Sequence, residues 1–109
     1  VDESRILGSV TVLDPNYGNV WTNIPEGHLR KLGLREGAFY EIIIREGERE
    51  VVRKRLPFHF AFGHVPNFGE LLYVNSLGFL GLSKSLGDFA KDNAVGTKGD
   101  WRVEILPSN

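Results

Sequence analysis

The chain has 109 residues, enough for one domain that buries roughly two thirds of its unfolded surface. Its 41% apolar and 25% charged composition is ordinary for a globular protein, and 13 basic against 14 acidic residues leave a net charge of −1, which argues against a polyanionic partner and against non-specific nucleic-acid binding. No apolar run approaches the ~20 residues of a membrane span, and the lack of cysteine excludes disulfides and thiolate metal sites.

Residues 6–13 alternate, with Ile6, Gly8, Val10 and Val12 on one face and Leu7, Ser9, Thr11 and Leu13 on the other, which predicts a strand. Residues 16–18 predict a turn and residues 20–24 a second short strand. Pro25 suits the first position of a short helix, where its missing N–H is not needed. Leu29 and Leu32 would share one side of that helix, and Gly33 would end it. Residues 39–44 are apolar and β-branched and predict a well-buried strand. Gly47 turns it into a hairpin with residues 50–55, where Val51 and Val52 stand among charges. Residues 71–74 and 79–82 predict two further strands around a turn at 75–78. Residues 84–93 predict a short helix, capped by Ser83 or Ser85, with Phe89 and Ala90 facing inward. Residues 101–106 close the chain as a strand with Trp101, Val103 and Ile105 on one side.

Two segments echo each other. Leu32-Gly33-Leu34-Arg35-Glu36-Gly37 precedes the strand at 39–44, and Ala94-Val95-Gly96-Thr97-Lys98-Gly99 precedes the strand at 101–106. Each reads as a helix end, a glycine turn and an apolar strand, a local echo rather than a repeat array. About seven short strands with glycine turns predict an all-β domain, either a closed barrel or a sandwich. With Val1 first and no methionine anywhere, the chain is expected to be a fragment or a processed piece.

The segment from Asp14 to Pro25 carries the most chemistry. It places an acid, the aromatic Tyr17, Gly18 and three carboxamides (Asn16, Asn19, Asn23) between two strand-like runs. A plain turn needs only about two to four such residues. Carboxamides offer donors and acceptors together, and an aromatic beside them offers a stacking face, a combination suited to a flat polar heterocycle such as adenine. His28, His59 and His64 have no metal-ligand spacing, so no metal site is expected. No nucleophile elbow or phosphate loop is present, and Gly78, Gly81 and Gly87 read as turn and close-packing positions. Arg45, Arg49, Arg53, Lys54 and Arg55 are interleaved with Glu46, Glu48 and Glu50, which reads as a solvated hairpin with cross-strand ion pairs. Phe58, Phe60 and Phe62 stand at a spacing of two, as core residues of a strand or, nearer Gly63, as a ring for stacking. Asn75-Ser76 before Gly78 is a turn, or a turn that also presents Ser76 to a ligand.

Taken together these segments resemble a known family. Asp14-x-x-Tyr17-Gly18-Asn19-x-x-Thr22-Asn23-Ile24-Pro25 is similar to the motif that opens the C-terminal domain of the S-adenosylmethionine hydroxide adenosyltransferases and their fluorinase and chlorinase relatives. Asn75-Ser76-x-Gly78-x-Leu80, then Lys84-Ser85-Leu86-Gly87 and Phe89-Ala90, is similar to that domain's second hallmark. Phe62-x-x-x-Pro66 before Gly69-Glu70, and Gly99-Asp100-Trp101-Arg102-Val103, match two looser ones. The likeness runs over residues 6–106 with the hallmarks in order.

The resemblance implies that residues 1–109 are one C-terminal domain, a closed Greek-key β-barrel of about seven short strands with one or two short helices, binding the adenosyl group of S-adenosylmethionine. Tyr17 and Phe62 would flank the adenine, Asn19 would hydrogen-bond an edge nitrogen, and main-chain groups near Leu86 would read the amino edge. Asp14 and Ser76 would hold the amino and carboxylate groups of the methionine moiety, and Lys84 belongs to the same substrate-binding set. S-adenosylmethionine is the substrate and no cofactor is implied. The implied reaction is attack of water on the ribose 5′ carbon, giving adenosine and methionine. The ligand would lie between this barrel and the N-terminal α/β domain of a neighbouring subunit in a homotrimer, in the cytoplasm. The residues that handle the water belong to that N-terminal domain, so no catalytic residue is carried onto this chain, which alone should be inactive. Leu77 and Lys84 stand where the halogenase branch has arginines, which tilts the expectation toward the water-using branch. Leu86 stands where a small residue is usual at the adenine edge and narrows the pocket. Two readings from other classes compete: a stand-alone barrel that binds a nucleoside or peptide without chemistry, and an oligomerisation domain that has lost its ligand.

Overall fold

The computed structural model describes residues 5–13, 19–30, 35–59, 69–75, 78–85, 87–97 and 99–108. In chain order the elements are β1 (Ile6–Leu13), β2 (Val20–Pro25), α1 (Glu26–Arg30), β3 (Phe39–Glu46), β4 (Arg49–Pro57), β5 (Glu70–Val74), β6 (Phe79–Lys84), α2 (Phe89–Asp92) and β7 (Trp101–Ser108). The strands form one sheet in the order β4-β3-β7-β1-β2-β6-β5, with antiparallel neighbours throughout. The chain steps from β2 over β1 and β7 to reach β3, and from β6 over β2 and β1 to reach β7. Those two crossings give the sheet its Greek-key character.

The sheet curls into a nearly closed barrel. Its two outer strands meet through a parallel bridge between Phe58 and Leu72 and a 3.0 Å bond from the His59 amide to the Leu72 carbonyl. Lys54 of β4 and Glu70 of β5 pair across the same seam at 2.7 Å. Full closure removes the exposed edges of an antiparallel sheet, and here a single bridge and an ion pair complete what the ladder leaves open.

The core follows from the period of two. Ile6, Ile105 and Ile42 lie opposite one another across β1, β7 and β3, all fully buried. Each such side chain contributes about 1.5–3 kcal/mol on leaving water. Gly8 opens the next row, because a Cβ there would meet Ile24 Cγ1 at 2.3 Å, so β1 passes directly over the Ile24 side chain. Phe89 and Ala90 of α2 are buried as their sequence predicts, and the helix covers part of the core.

The hairpin of β3 and β4 carries the expected ion pairs. Arg53 meets Glu41 across the strands and Glu50 along its own, and Arg45 reaches Glu104 of β7 at 3.3 Å. The two echo segments lead into β3 and β7, which are sheet neighbours, and each ends in a glycine with positive φ, Gly37 at 79° and Gly99 at 98°.

Four local expectations need correction. Val12 is 43% exposed, because the register of β1 against β2 slips between Val10 and Val12 and reverses the faces beyond the bulge. Phe39 is exposed rather than buried, since Tyr40, Ile42 and Ile44 hold the inner face of β3, and the Arg55 guanidinium covers its ring at 4.1 Å. Pro25 ends β2, and α1 starts at Glu26. The second helix is shorter than residues 84–93 and is capped by Asp88, whose carboxylate accepts from the Lys91 amide at 2.9 Å; Ser83 and Lys84 belong to β6.

Candidate functional site

Of the predicted site residues, Asn19 and Lys84 fall within the described structure. Asp14, Tyr17, Phe62, Ser76 and Leu86 lie outside the described residues, as do Phe60, His64 and Leu77. Leu13 pairs with Val20, Val20 with Leu82, and Glu70 with Lys84, so the ends of β1 and β6 and the starts of β2 and β5 share one end of the barrel.

Asn19 sits there with little exposure, 8%, immediately before β2. Its Oδ1 accepts a 2.6 Å hydrogen bond from the hydroxyl of Ser83, which is 1% exposed. A buried carboxamide needs such a partner, since an unmet polar group there costs about 1–3 kcal/mol. Lys84, the next residue, pairs with Asp92 of α2 at 2.5 Å. The Asp92 hydrogen bond raises the Lys84 pKa, and the same bond holds the Asp92 carboxyl below its usual range. The Lys84 stem runs over Gly87, where a Cβ would meet its Cδ at 2.7 Å. Asn75 and Gly78 precede the opposite end of β6, whose first residue, Phe79, is five residues from Lys84 along the strand, about 17 Å at ~3.3 Å per residue. A ligand touching both ends must therefore run along β6.

The carboxamides of the two motifs divide by role. Asn23 Oδ1 accepts from the Ser9 amide at 2.8 Å, beside the bulge in β1. Thr22 donates to the Leu80 carbonyl at 2.8 Å and accepts from the Ile24 amide at 3.1 Å, where β2 and β6 lose register between Trp21 and Pro25. Asn75 Oδ1 accepts from the Phe79 amide at 3.1 Å and closes the turn that Gly78 makes at φ 86°. Asn23, Thr22 and Asn75 thus satisfy backbone groups that irregular strands leave open. Behind them, Trp21 Nε1 donates to the Tyr73 hydroxyl at 2.6 Å, above Gly81.

His59 contacts the Glu36 carboxylate, and His28 is half-buried on α1. Among the described residues no group of three or more histidine or acidic side chains is placed to hold a metal. No helix among them is long and apolar enough to cross a membrane. A cleft of about 750 Å³ lies elsewhere, between β1, β3 and β7, and Arg5, Arg45, Arg102 and Glu104 are among the residues that line it.

Residues 8–102 match the family described as the SAM hydroxide adenosyltransferase C-terminal domain. The chain belongs to this family. A fluorinase from Nocardia brasiliensis is 33% identical over 91 residues, which are 83% of this chain and 29% of that protein. A fluorinase from Actinopolyspora mzabensis is 30% identical over 89 residues, 81% of this chain and 28% of that protein. The chain thus spans less than a third of the curated relatives it matches. A crystal structure of an uncharacterized conserved protein from Thermotoga maritima is similar at a TM-score of 0.78 and 31% identity, over 97% of this chain and 37% of that one. A conserved hypothetical protein from Thermus thermophilus shares the fold, with a TM-score of 0.60 and 24% identity over 96% of this chain and 36% of its own.

In this adenosyltransferase C-terminal domain, Ser83 is the residue near the predicted site that sequence reasoning passed over. It read as a possible helix cap, because serine before a helical stretch is a common signal. Only the pairing of Val20 with Leu82 brings Ser83 opposite Asn19.

Proposed function

We propose that this chain is the adenosyl-binding barrel of an S-adenosylmethionine hydroxide adenosyltransferase, a protein that converts S-adenosylmethionine and water to adenosine and methionine. The family match over residues 8–102 carries the reading. The buried, oriented carboxamide of Asn19 supports it locally, because reading a heterocycle edge calls for a fixed polar group in a mostly apolar wall. Tyr17 and Phe62 supply rings for stacking, Asp14 and Ser76 supply groups for the methionine ends, and Lys84 and the backbone at Leu86 complete the wall.

In the reaction, water oxygen forms a bond to the ribose 5′ carbon as the carbon–sulfur bond breaks. The bonding pair leaves with sulfur, so the sulfonium becomes the neutral thioether of methionine, and the water gives up a proton to a base. The sulfonium is already an activated leaving group, so the protein's work is positioning and exclusion of bulk water. The second half of the site is expected from an N-terminal domain of a neighbouring subunit in a trimer.

A second reading is the halogenase branch, favoured by the fluorinase relatives. Leu77 argues for water, since a leucine cannot clamp the methionine carboxylate as an arginine does. The deciding experiment is chromatography of nucleoside products after incubating the full-length protein with S-adenosylmethionine, with and without fluoride or chloride. Adenosine under all conditions supports the hydrolase, and a 5′-halo product moves the protein to the halogenase branch. A folded protein with no turnover overturns both and leaves a nucleoside-binding or oligomerisation module.

A further inference from the structure

We infer that Asp92 is a positioning residue: it ties the Lys84 side chain across Gly87 and so braces the turn at 84–87, and Lys84 serves the adenine amino edge through that turn's main chain rather than by touching the ligand. The inference rests on the adenosyl-binding reading above, in which main-chain groups near Leu86 meet that edge.

Leu86 lies outside the described residues, but the chain is held on both sides of it. The Ser85 amide donates to the Gly69 carbonyl at 2.8 Å, and the Gly87 amide returns to the Lys84 carbonyl at 3.1 Å. The Lys84 side chain adds a second tie over the same four residues. Its stem crosses Gly87, and its ammonium donates to Asp92 Oδ2 at 2.5 Å. The direction of this bond is not open, because an ammonium only donates and an ionised carboxylate only accepts. Asp92 is a fixed anchor. The buried Phe89 and Ala90 seat α2 in the core, and one residue on, Asn93 Nδ2 donates to Glu70 Oε2 at 2.7 Å.

Gly87 is the small residue that this arrangement needs. It does not stand at positive φ, so its backbone would accept a side chain. The obstacle is the strap itself, since a Cβ would lie 2.7 Å from Lys84 Cδ and 2.9 Å from its Cγ.

The test is equilibrium binding of adenosine and of purine riboside, which lacks the exocyclic amine, to the full-length protein and to its Lys84→Ala, Asp92→Ala and doubly substituted variants. The natural protein should favour adenosine. Each single change should cut that preference about two- to five-fold, the range of a part-exposed ion pair. The double variant should lose no more than either single one, because both changes remove the same tie. Gly87→Ala should show the same loss and add nothing to Lys84→Ala. A loss in Lys84→Ala that Asp92→Ala does not share makes Lys84 a direct contact and overturns the inference. Losses that multiply in the double variant overturn it too. So does an unchanged preference, including one kept while both ligands weaken together through a looser fold. A natural protein that binds the two ligands equally overturns the inference and leaves the adenosyl reading in place. A natural protein that binds neither adenosine nor S-adenosylmethionine overturns the reading itself.

Discussion

The Trp21 indole and the Tyr73 hydroxyl meet at 2.6 Å over the backbone of Gly81, their common cross-strand neighbour. A Cβ at Gly81 would stand 2.6 Å from Tyr73 Cε1, inside a ring that cannot flex. Gly81→Ala is therefore expected to destabilise the domain by about 1–3 kcal/mol through overpacking, read in urea unfolding. Trp21→Phe should cost about 1 kcal/mol, mostly through the lost hydrogen bond. In the combined variant the losses should not add, because both changes break the same contact.

Thr22→Val keeps the shape of the side chain and removes a buried hydroxyl that serves Leu80 and Ile24. A loss of about 1–3 kcal/mol in thermal or urea unfolding is expected, the cost of leaving a buried backbone group unmet. A neutral result would mean that the strand regains register at the irregular step between Trp21 and Pro25.

Asn19→Ala removes the acceptor of a buried serine and, on the proposed function, a contact to the base. Stability should fall by about 1–2 kcal/mol, and adenosyl binding by a further 1–3 kcal/mol measured on folded protein. Loss of stability with unchanged binding would make Asn19 a structural residue like Asn23 and Asn75.

The Lys84–Asp92 pair sets a pH window. Asp92 has its pKa lowered by the Lys84 hydrogen bond, so its contribution is present above the ordinary carboxylate range and fades as pH falls through its depressed value. Lys84 has its pKa raised by the same bond, so its contribution is complete below the ordinary lysine range and is lost as pH rises through the raised value. Between those ranges Asp92→Asn should lower stability slightly, and at strongly acid pH the two proteins should converge. Exposed pairs of this kind are modest and screened by salt, so the difference should shrink at high ionic strength.

The strands were legible because apolar residues mark them: Ile6 and Val10, and Val103 and Ile105, share a buried face at the period of two that was read, and Ile42, Ile43 and Ile44 are buried in the run read as a well-buried strand. The reading failed where register slips. Val12 continues the alternation on paper, and only pairing with β2 shows the extra residue before it. Helix ends failed for a related reason, since Ser83 and Asp88 are both good caps in isolation and tertiary pairing gives Ser83 to the strand. At the site, the motif reading identified polar residues without separating their roles. Asn19, Asn23 and Asn75 are the same chemical group, and what distinguishes them is whether a backbone amide or a side-chain hydroxyl occupies the oxygen.

The first and last strands of the barrel lie side by side, with Ile6 opposite Ile105 near the middle of the sheet. The polypeptide therefore enters and departs at neighbouring points on one rim. A body hung this way can be joined to a larger assembly by a two-ply hinge, or have its ends spliced by a short linker and be cut open elsewhere, with the cylinder intact. Trimming is another matter: deleting either terminal strand strips a central stave and parts the ladder, into ribbons of two and four strands without β7 or of three and three without β1.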